Sequence, residues 1–452
     1  MPRETPALGR VFALVEGMSD VAEFPDVAVA TSSILGVRAP LPQRSRLSTL
    51  VTDLLHPCHA LRSCSILVKR KVESGTGRSR IGRQLQRLAL ACAAFTVASC
   101  IVAAPKVHAD RVSVGARAAE QPVTIVIVTL DGVRWHEVFE GVDAKLAAEH
   151  DMPQSAVVSA RELLPNLYAI IDSHGSALGA PGHGAAISAS GPDFLSLPGY
   201  AEMLSGRSVT GCANNQCAGV AAHTIIEQLS SGAARPDADV AAVTSWGEIA
   251  KVTSYGSCRA AVSSGRHGGS NREIFGRDRE GAELLSLAEN APRGLGDADF
   301  RPDALTADLG IHYLKTQAPR FLFLGLGEPD EFGHMNDYAG YLESLRRADA
   351  RIAEIDAELQ RLAASGTRTA LFITADHGRA DNFVDHGEKY PESARVWLVA
   401  SGSALNARGF VVAPSERRLA DLAPTMREIA HLPRDTDLAA GAPLVELLGT
   451  PL

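Results

Sequence analysis

The sequence predicts an α/β protein built around a mostly parallel sheet, and three segments carry that prediction. Residues Val123–Leu130, 320–327 and 369–375 are short apolar runs of the kind that forms strands buried on both faces. Each run leads directly into an acid, at Asp131, at Glu328-Pro329-Asp330 and at Asp376. In open α/β sheets ligands sit beyond the carboxyl ends of the strands, so these distant acids are expected to converge on one crevice.

The elements follow in chain order. Residues 1–77 form an extension expected to be disordered, with no function assigned. Residues 78–109 read as a signal peptide, with Arg78, Arg80, Arg83 and Arg87, an apolar run over 88–104 and a small-residue cleavage site at Val107-His108-Ala109. The stretch Val97-Ala98-Ser99-Cys100 also fits a lipobox, which would make Cys100 a lipid anchor, and both cleavages stay open. Either one implies export to the periplasm or beyond. The catalytic domain is expected over 122–452, with helices at 201–204, 223–229, 303–315 and 338–364. In the last of these, Leu342, Leu345, Ile352, Ile355 and Leu362 keep helical spacing. Further strands are predicted at 241–245 and 395–400, and the Gly-, Arg- and Ser-rich stretch 256–300 reads as an excursion capping the site.

Composition narrows the function. With 452 residues and 46% hydrophobic content the chain buries a large core. The net charge is −8, and the first 110 residues carry 14 Lys/Arg against 8 Asp/Glu, so the acidity is concentrated in the presumed mature domain. That argues against nucleic acid as a specific partner. An acidic domain that handles an anionic ligand needs local positive charge, which bound divalent cations supply. The seven cysteines lack the paired spacing of structural zinc sites. Cys212 and Cys217 are placed for a short disulfide in an exported chain, with free buried thiols as the alternative.

The residues suited to hold cations lie after the predicted strands. Asp330 and His334 stand four apart, so a carboxylate and an imidazole share one face of a helical turn. Asp376, His377 and His386 bring one carboxylate and two imidazoles within eleven residues, a donor set that zinc prefers. Ser196 opens Ser-Leu-Pro-Gly-Tyr, where a loop turns into a helix. There it is either an N-cap or a nucleophile whose phosphate partner is favoured by the helix N-terminus.

Asp131, Ser-Leu-Pro-Gly-Tyr at 196–200, Asp-Glu-Phe-Gly-His at 330–334, Ala-Asp-His-Gly at 375–378 and the later His386-Gly387 resemble, in order, the motif series of the alkaline phosphatase superfamily. The resemblance covers about 122–448 and is nearest the phosphodiesterase and nucleotide pyrophosphatase-like branch. It implies a three-layer sandwich with helices on both faces of the sheet. It further implies that Asp330, His334 and His386 hold one zinc, and that Asp131, Asp376, His377 and Ser196 hold another. Ser196 would then form a phosphoseryl intermediate. Relatives place an asparagine about nineteen residues after the nucleophile to hold a phosphate oxygen, a position filled by Asn215 with Asn214 beside it.

The Ser196 segment also resembles the sulfatase signature, but Tyr200 stands where that signature has arginine, and imidazoles at 334, 377 and 386 suit zinc better than calcium. A sulfuric ester hydrolase is therefore the weaker enzymatic reading. The phosphoglycerate mutases that share the two-metal core are set aside on their different serine motif and large insertion. A non-catalytic secreted binding protein of the same fold is disfavoured by the complete ligand set. The expected partner is a small phosphate ester. Monoester or diester preference stays open, as does the identity of any clamp among Arg207, Arg259, Arg266 and Arg379.

Overall fold

The structure is a computed structural model, and it describes residues 122–448 apart from 218–222, 234, 236–237, 254–258, 297–298 and 438. The N-terminal extension, the signal peptide and the Cys100 anchor lie outside the described residues.

Twelve strands are present among these residues: β1 (Val123–Leu130), β2 (Gly175–Leu178), β3 (Ile187–Ser188), β4 (Val240–Thr244), β5 (Ala261–Ser264), β6 (Gly268–Ser270), β7 (Phe321–Leu326), β8 (Arg368–Thr374), β9 (Arg395–Val396), β10 (Leu398–Ser401), β11 (Gly409–Phe410) and β12 (Arg417–Arg418). Nine of them form one sheet in the order β11-β2-β10-β8-β1-β7-β4-β5-β6. The central run from β8 through β5 is parallel throughout, and antiparallel pairing enters only at β10 and β6. The strands β12, β3 and β9 make a small separate sheet.

Burial explains why the central strands read as unbroken apolar runs. Every residue of β1 and β7 is buried, because helices cover both faces of the sheet. We label the principal helices α1 (Pro165–Ser173), α2 (Ser196–Ser205), α3 (Asp303–Gln317), α4 (Glu328–His334), α5 (Tyr338–Ala364) and α6 (Leu422–Ile429). Successive residues of β7 point to opposite faces. On one face the Phe323 ring meets Tyr200 of α2 edge-on at 5.7 Å. On the other, Leu324 packs so closely under Gly310 of α3 that a Cβ there would come within 2.8 Å of its Cδ1.

The helix expected at 338–364 has those bounds, capped by the Asp337 carboxylate on the Gly340 amide. Two expectations change. The stretch 256–300, read as a cap, instead contributes β5 and β6 to the edge of the main sheet and a helix at Arg279–Glu289. The strand expected at 395–400 is divided at Trp397 between the two sheets, because that indole is buried and donates from Nε1 to Val133 O at 3.0 Å.

Candidate metal centre and nucleophile

The strands β8, β1 and β7 are adjacent and parallel, so the segments following them leave the sheet side by side at one edge. Asp131 follows β1, Asp376 follows β8, and Asp330 lies on α4 just beyond β7. The convergence expected from sequence is therefore a product of strand order.

Around Asp131 the packing is tight. Gly132 has φ of +64°, donates its amide to Asp376 Oδ1 at 3.1 Å, and has no room for a Cβ, which would sit 2.3 Å from Asp330 Oδ1. His377 Nε2 lies 3.5 Å from Asp131 Oδ1 and 3.5 Å from Asp376 Oδ2. One oxygen each of Asp131 and Asp376 and one nitrogen of His377 lie within 4.8 Å of one another, close enough to bind one ion. A second group stands beside it. His334 Nε2 is 3.0 Å from Asp330 Oδ2 and 3.0 Å from His386 Nε2, and His386 Nε2 is 3.8 Å from Asp330 Oδ1. The spacing of Asp330 and His334 serves this contact because both lie on the single short helix α4. The rings of His377 and His386 stack 4.0 Å apart, joining the two groups.

The protonation chemistry suits cations. His377 Nδ1 donates to Gly378 O at 2.8 Å and His386 Nδ1 donates to Phe194 O at 3.0 Å, which leaves each Nε2 lone pair facing the cluster. Burial pushes His377 down to about 4, and burial together with His377 pushes His386 down to about 3, so both rings are neutral as ligands must be. Burial and the neighbouring Asp376 and Asp330 raise Asp131, while burial and Asp330 push Asp376 up to about 7. Burial also acts to raise Asp330, but Arg379 and the two histidines outweigh it and hold that carboxyl well below its usual range. Asp376 Oδ2 is buried without a hydrogen bond from the protein. A carboxylate oxygen in that state is costly unless a cation meets it, so the donor set fits divalent metal.

Ser196 is the first residue of α2, and Leu195 occupies the N-cap, so the serine is not spent on capping. Its Oγ lies 3.3 Å from Asp131 Oδ1 and 3.3 Å from His377 Nε2. The glycine of its motif is needed because a Cβ on Gly199 would meet Asp376 O at 2.3 Å. Tyr200, fully buried one turn on, donates its hydroxyl to Asp131 Oδ2 at 2.9 Å. Asn215 accepts the Leu197 amide on its Oδ1 at 3.1 Å and lines the cavity with Ser196, whereas Asn214 is exposed and caps the Gln216 amide. The turn carrying Asn215 is closed by the Cys212–Cys217 disulfide.

Sequence reasoning missed several lining groups. The cavity has a volume of about 160 Å³ and is bordered by Trp246, Phe300 and Glu331 in addition to the expected residues. Arg379, one of the possible clamps, is bound to Asp330 and donates to Phe383 O and Val384 O at 2.5 and 2.6 Å. Arg207 is paired with Asp435 and Asp437 away from the site.

Residues 300–433, which include Asp330, His334, Asp376, His377 and His386, match the family model described as the Metalloenzyme superfamily. The family match therefore covers the C-terminal part of the described chain, with five of the metal-ligand candidates. That family and the candidate ligand groups Asp131, Asp376, His377 and Asp330, His377, His386 indicate divalent metal binding. Among curated proteins the chain is similar to a 2,3-bisphosphoglycerate-independent phosphoglycerate mutase of Cereibacter sphaeroides, 28% identical over 165 residues, which is 35% of this chain and 30% of that protein. It is also similar to a phosphopentomutase of Alkaliphilus metalliredigens, 28% identical over 182 residues, covering 36% of this chain and 43% of the relative. The alignments thus span less than half the length of these curated relatives. Among solved structures it is similar to the phosphonate monoester hydrolase of Silicibacter pomeroyi, with a TM-score of 0.44 and 13% identity over 72% of this chain and 76% of that one.

Proposed function

We propose that this protein is a member of the alkaline phosphatase superfamily, an exported hydrolase of phosphate esters that works through a phosphoseryl intermediate on Ser196 at a two-zinc site. The observation that carries the reading is the position of Ser196 Oγ, 3.3 Å from both Asp131 Oδ1 and His377 Nε2 at the first turn of α2. Asp330, His334 and His386 would hold one ion, and Asp131, Asp376, His377 and the Ser196 oxygen the other. Zinc suits this mixture of imidazole and carboxylate. Bound there, the two ions would neutralise phosphate charge and favour the ionised serine.

The chain's own groups do the rest. The positive end of the α2 dipole favours the phosphate, while the Leu197 amide is taken by Asn215 and Pro198 has none to offer. Asn215 keeps its carbonyl on the Leu197 amide, which leaves its NH₂ to donate to a phosphate oxygen. Tyr200 fixes the Asp131 carboxylate so that its other oxygen stays toward Ser196. Ser196 Oγ bonds to phosphorus as the ester P–O bond breaks, and the serine proton ends on the departing alcohol. Water then cleaves the phosphoserine, returning the hydroxyl and releasing inorganic phosphate. Export rests on the residues at 78–109.

A mutase reading is favoured by one observation, the sequence similarity to mutases, and it differs in returning the phosphoryl group to a second hydroxyl. The test is to measure bound metal and the products formed from an aryl phosphate monoester, a diester and an aryl sulfate, with native protein and Ser196→Ala. We expect two zinc ions per chain, release of inorganic phosphate from the monoester, and a loss of at least roughly 10³-fold in Ser196→Ala. Preference for the sulfate, or activity untouched by the substitution, overturns the assignment.

A further inference from the structure

The short helix that carries Asp330 and His334 is capped from another helix. α4 has seven residues, a length at which a helix is marginal by itself, so its place depends on what receives its first amides. Its N-cap position is Gly327, which has no side chain to receive them, and Pro329 has no N–H. The amides on either side of that N-cap are taken by Asp303, the first residue of α3. Gly327 N donates to Asp303 Oδ1 at 2.8 Å, and Glu328 N donates to Asp303 Oδ2 at 3.0 Å. The exchange is mutual, since the Asp303 amide at the start of α3 donates to Glu328 Oε1 at 3.1 Å. Two helices thus close each other's N-termini, with carboxylates at the positive ends of both dipoles.

This pair is itself anchored. Ser245, the residue after β4, donates its hydroxyl to Asp303 Oδ1 and lies 2.9 Å from Thr306 Oγ1, which accepts Arg301 Nε at 2.9 Å. Arg301 is fully buried and donates from its other nitrogens to Ser263 Oγ at 2.9 Å, Thr244 O at 2.9 Å and Ser263 O at 3.1 Å. On the far side Arg347 of α5 donates to Glu328 Oε2 at 2.9 Å. Asp303 is therefore fixed from β4 and β5, and it passes that position on to α4.

We propose that Asp303 is a positioning residue for the ion expected at Asp330, His334 and His386, because by closing the start of α4 it sets where that helix presents two of the three ligands. The inference rests on the ligand assignment made above. It concerns one ion of the two, since Asp131, Asp376 and His377 are carried by the segments after β1 and β8. Asp349 supplies the comparison. From α5 it caps a different helix in the same way, accepting Asn166 N at 3.0 Å and Leu167 N at 2.8 Å at the start of α1, which bears none of the ligands.

The metal-free full chain is titrated with Co²⁺, a coloured substitute for zinc, against a competing chelator, which gives a dissociation constant and an absorption band for each site. His334→Ala identifies the site on α4. Asp303→Asn keeps the size of the side chain but leaves one oxygen to accept and turns an NH₂ toward the α4 amides. The expected result is a rise of about 10- to 100-fold in the dissociation constant of the site that His334→Ala damages, with the other constant unchanged within about twofold. Asp349→Asn should lower the melting temperature and leave both constants as they are. Ser245→Ala, which removes a single bond to Asp303, should raise the same constant about threefold, and it carries the test if Asp303→Asn does not fold. Equal weakening of both sites, weakening of neither, or the same change in Asp349→Asn overturns the positioning role. If the native chain binds two ions and Asp303→Asn holds both as tightly, only the positioning role fails. If the native chain binds no ion, the ligand assignment fails with it.

Discussion

Tyr200 stands where a sulfatase-like signature would have arginine, and the structure gives that residue a different task. Its hydroxyl is buried and donates to Asp131 Oδ2, while Asp131 Oδ1 faces Ser196. An outer hydrogen bond of this kind orients a ligand and sharpens metal affinity. Tyr200→Phe removes only the hydroxyl and leaves the ring on Phe323. We expect the variant to fold normally and to bind zinc about 10- to 100-fold more weakly, measured by competition with a chromogenic chelator. Nothing in the sequence pointed to this contact, because a tyrosine in an apolar helix reads equally well as a packed ring.

At the scale of elements, α2 is held against the segment after β8 by the absence of a side chain at Gly199. Gly199→Ala would force a Cβ to within 2.3 Å of Asp376 O, so helix and strand must part. The expected cost is about 1–3 kcal/mol in denaturant unfolding. Activity should fall further, since Ser196 moves with α2 away from Asp131 and His377. The same scale separates what could be read beforehand from what could not. The strands β1, β7 and β8 were legible because burial on both faces leaves continuous apolar runs, each ending at an acid. The helix α5 was legible because one face is buried and one is solvated along its 27 residues. By contrast β5 and β6, Ala-Val-Ser-Ser and Gly-Gly-Ser, carry too little apolar surface to register as strands, so the sheet's edge was mistaken for an excursion. The metal-ligand candidates were legible because each follows a recognisable strand or motif. Trp246 and Phe300 lie in connections of no regular pattern, and only the fold brings them to the cavity.

For the molecule as a whole, the price of assembling the centre is three buried carboxylates at one sheet edge. In the metal-free protein burial and Asp330 push Asp376 up to about 7 from an ordinary 3.8, and Asp131 moves the same way. The sign follows from linkage. A carboxyl whose folded pKa is raised favours the protonated fold, so its contribution is intact below about pH 4 and is lost as pH climbs through about 7. Metal reverses this by binding the ionised form. Chelation should therefore lower the melting temperature more at pH 8 than at pH 5, by at least ~2 °C in a calorimetric scan. Equal drops at the two pH values would show that these acids do not set the stability of the metal-free state.

The order β8-β1-β7 has a wider consequence. Neighbouring strands run about 4.8 Å apart, so the first residues beyond two paired strands start within reach of one ion. The sheet therefore sets the starting points of Asp131 and Asp376 side by side, while Asp330, His334, His386 and Ser196 are delivered by the segments that follow the strands. Connections that carry none of these residues are free to change length without disturbing that gauge.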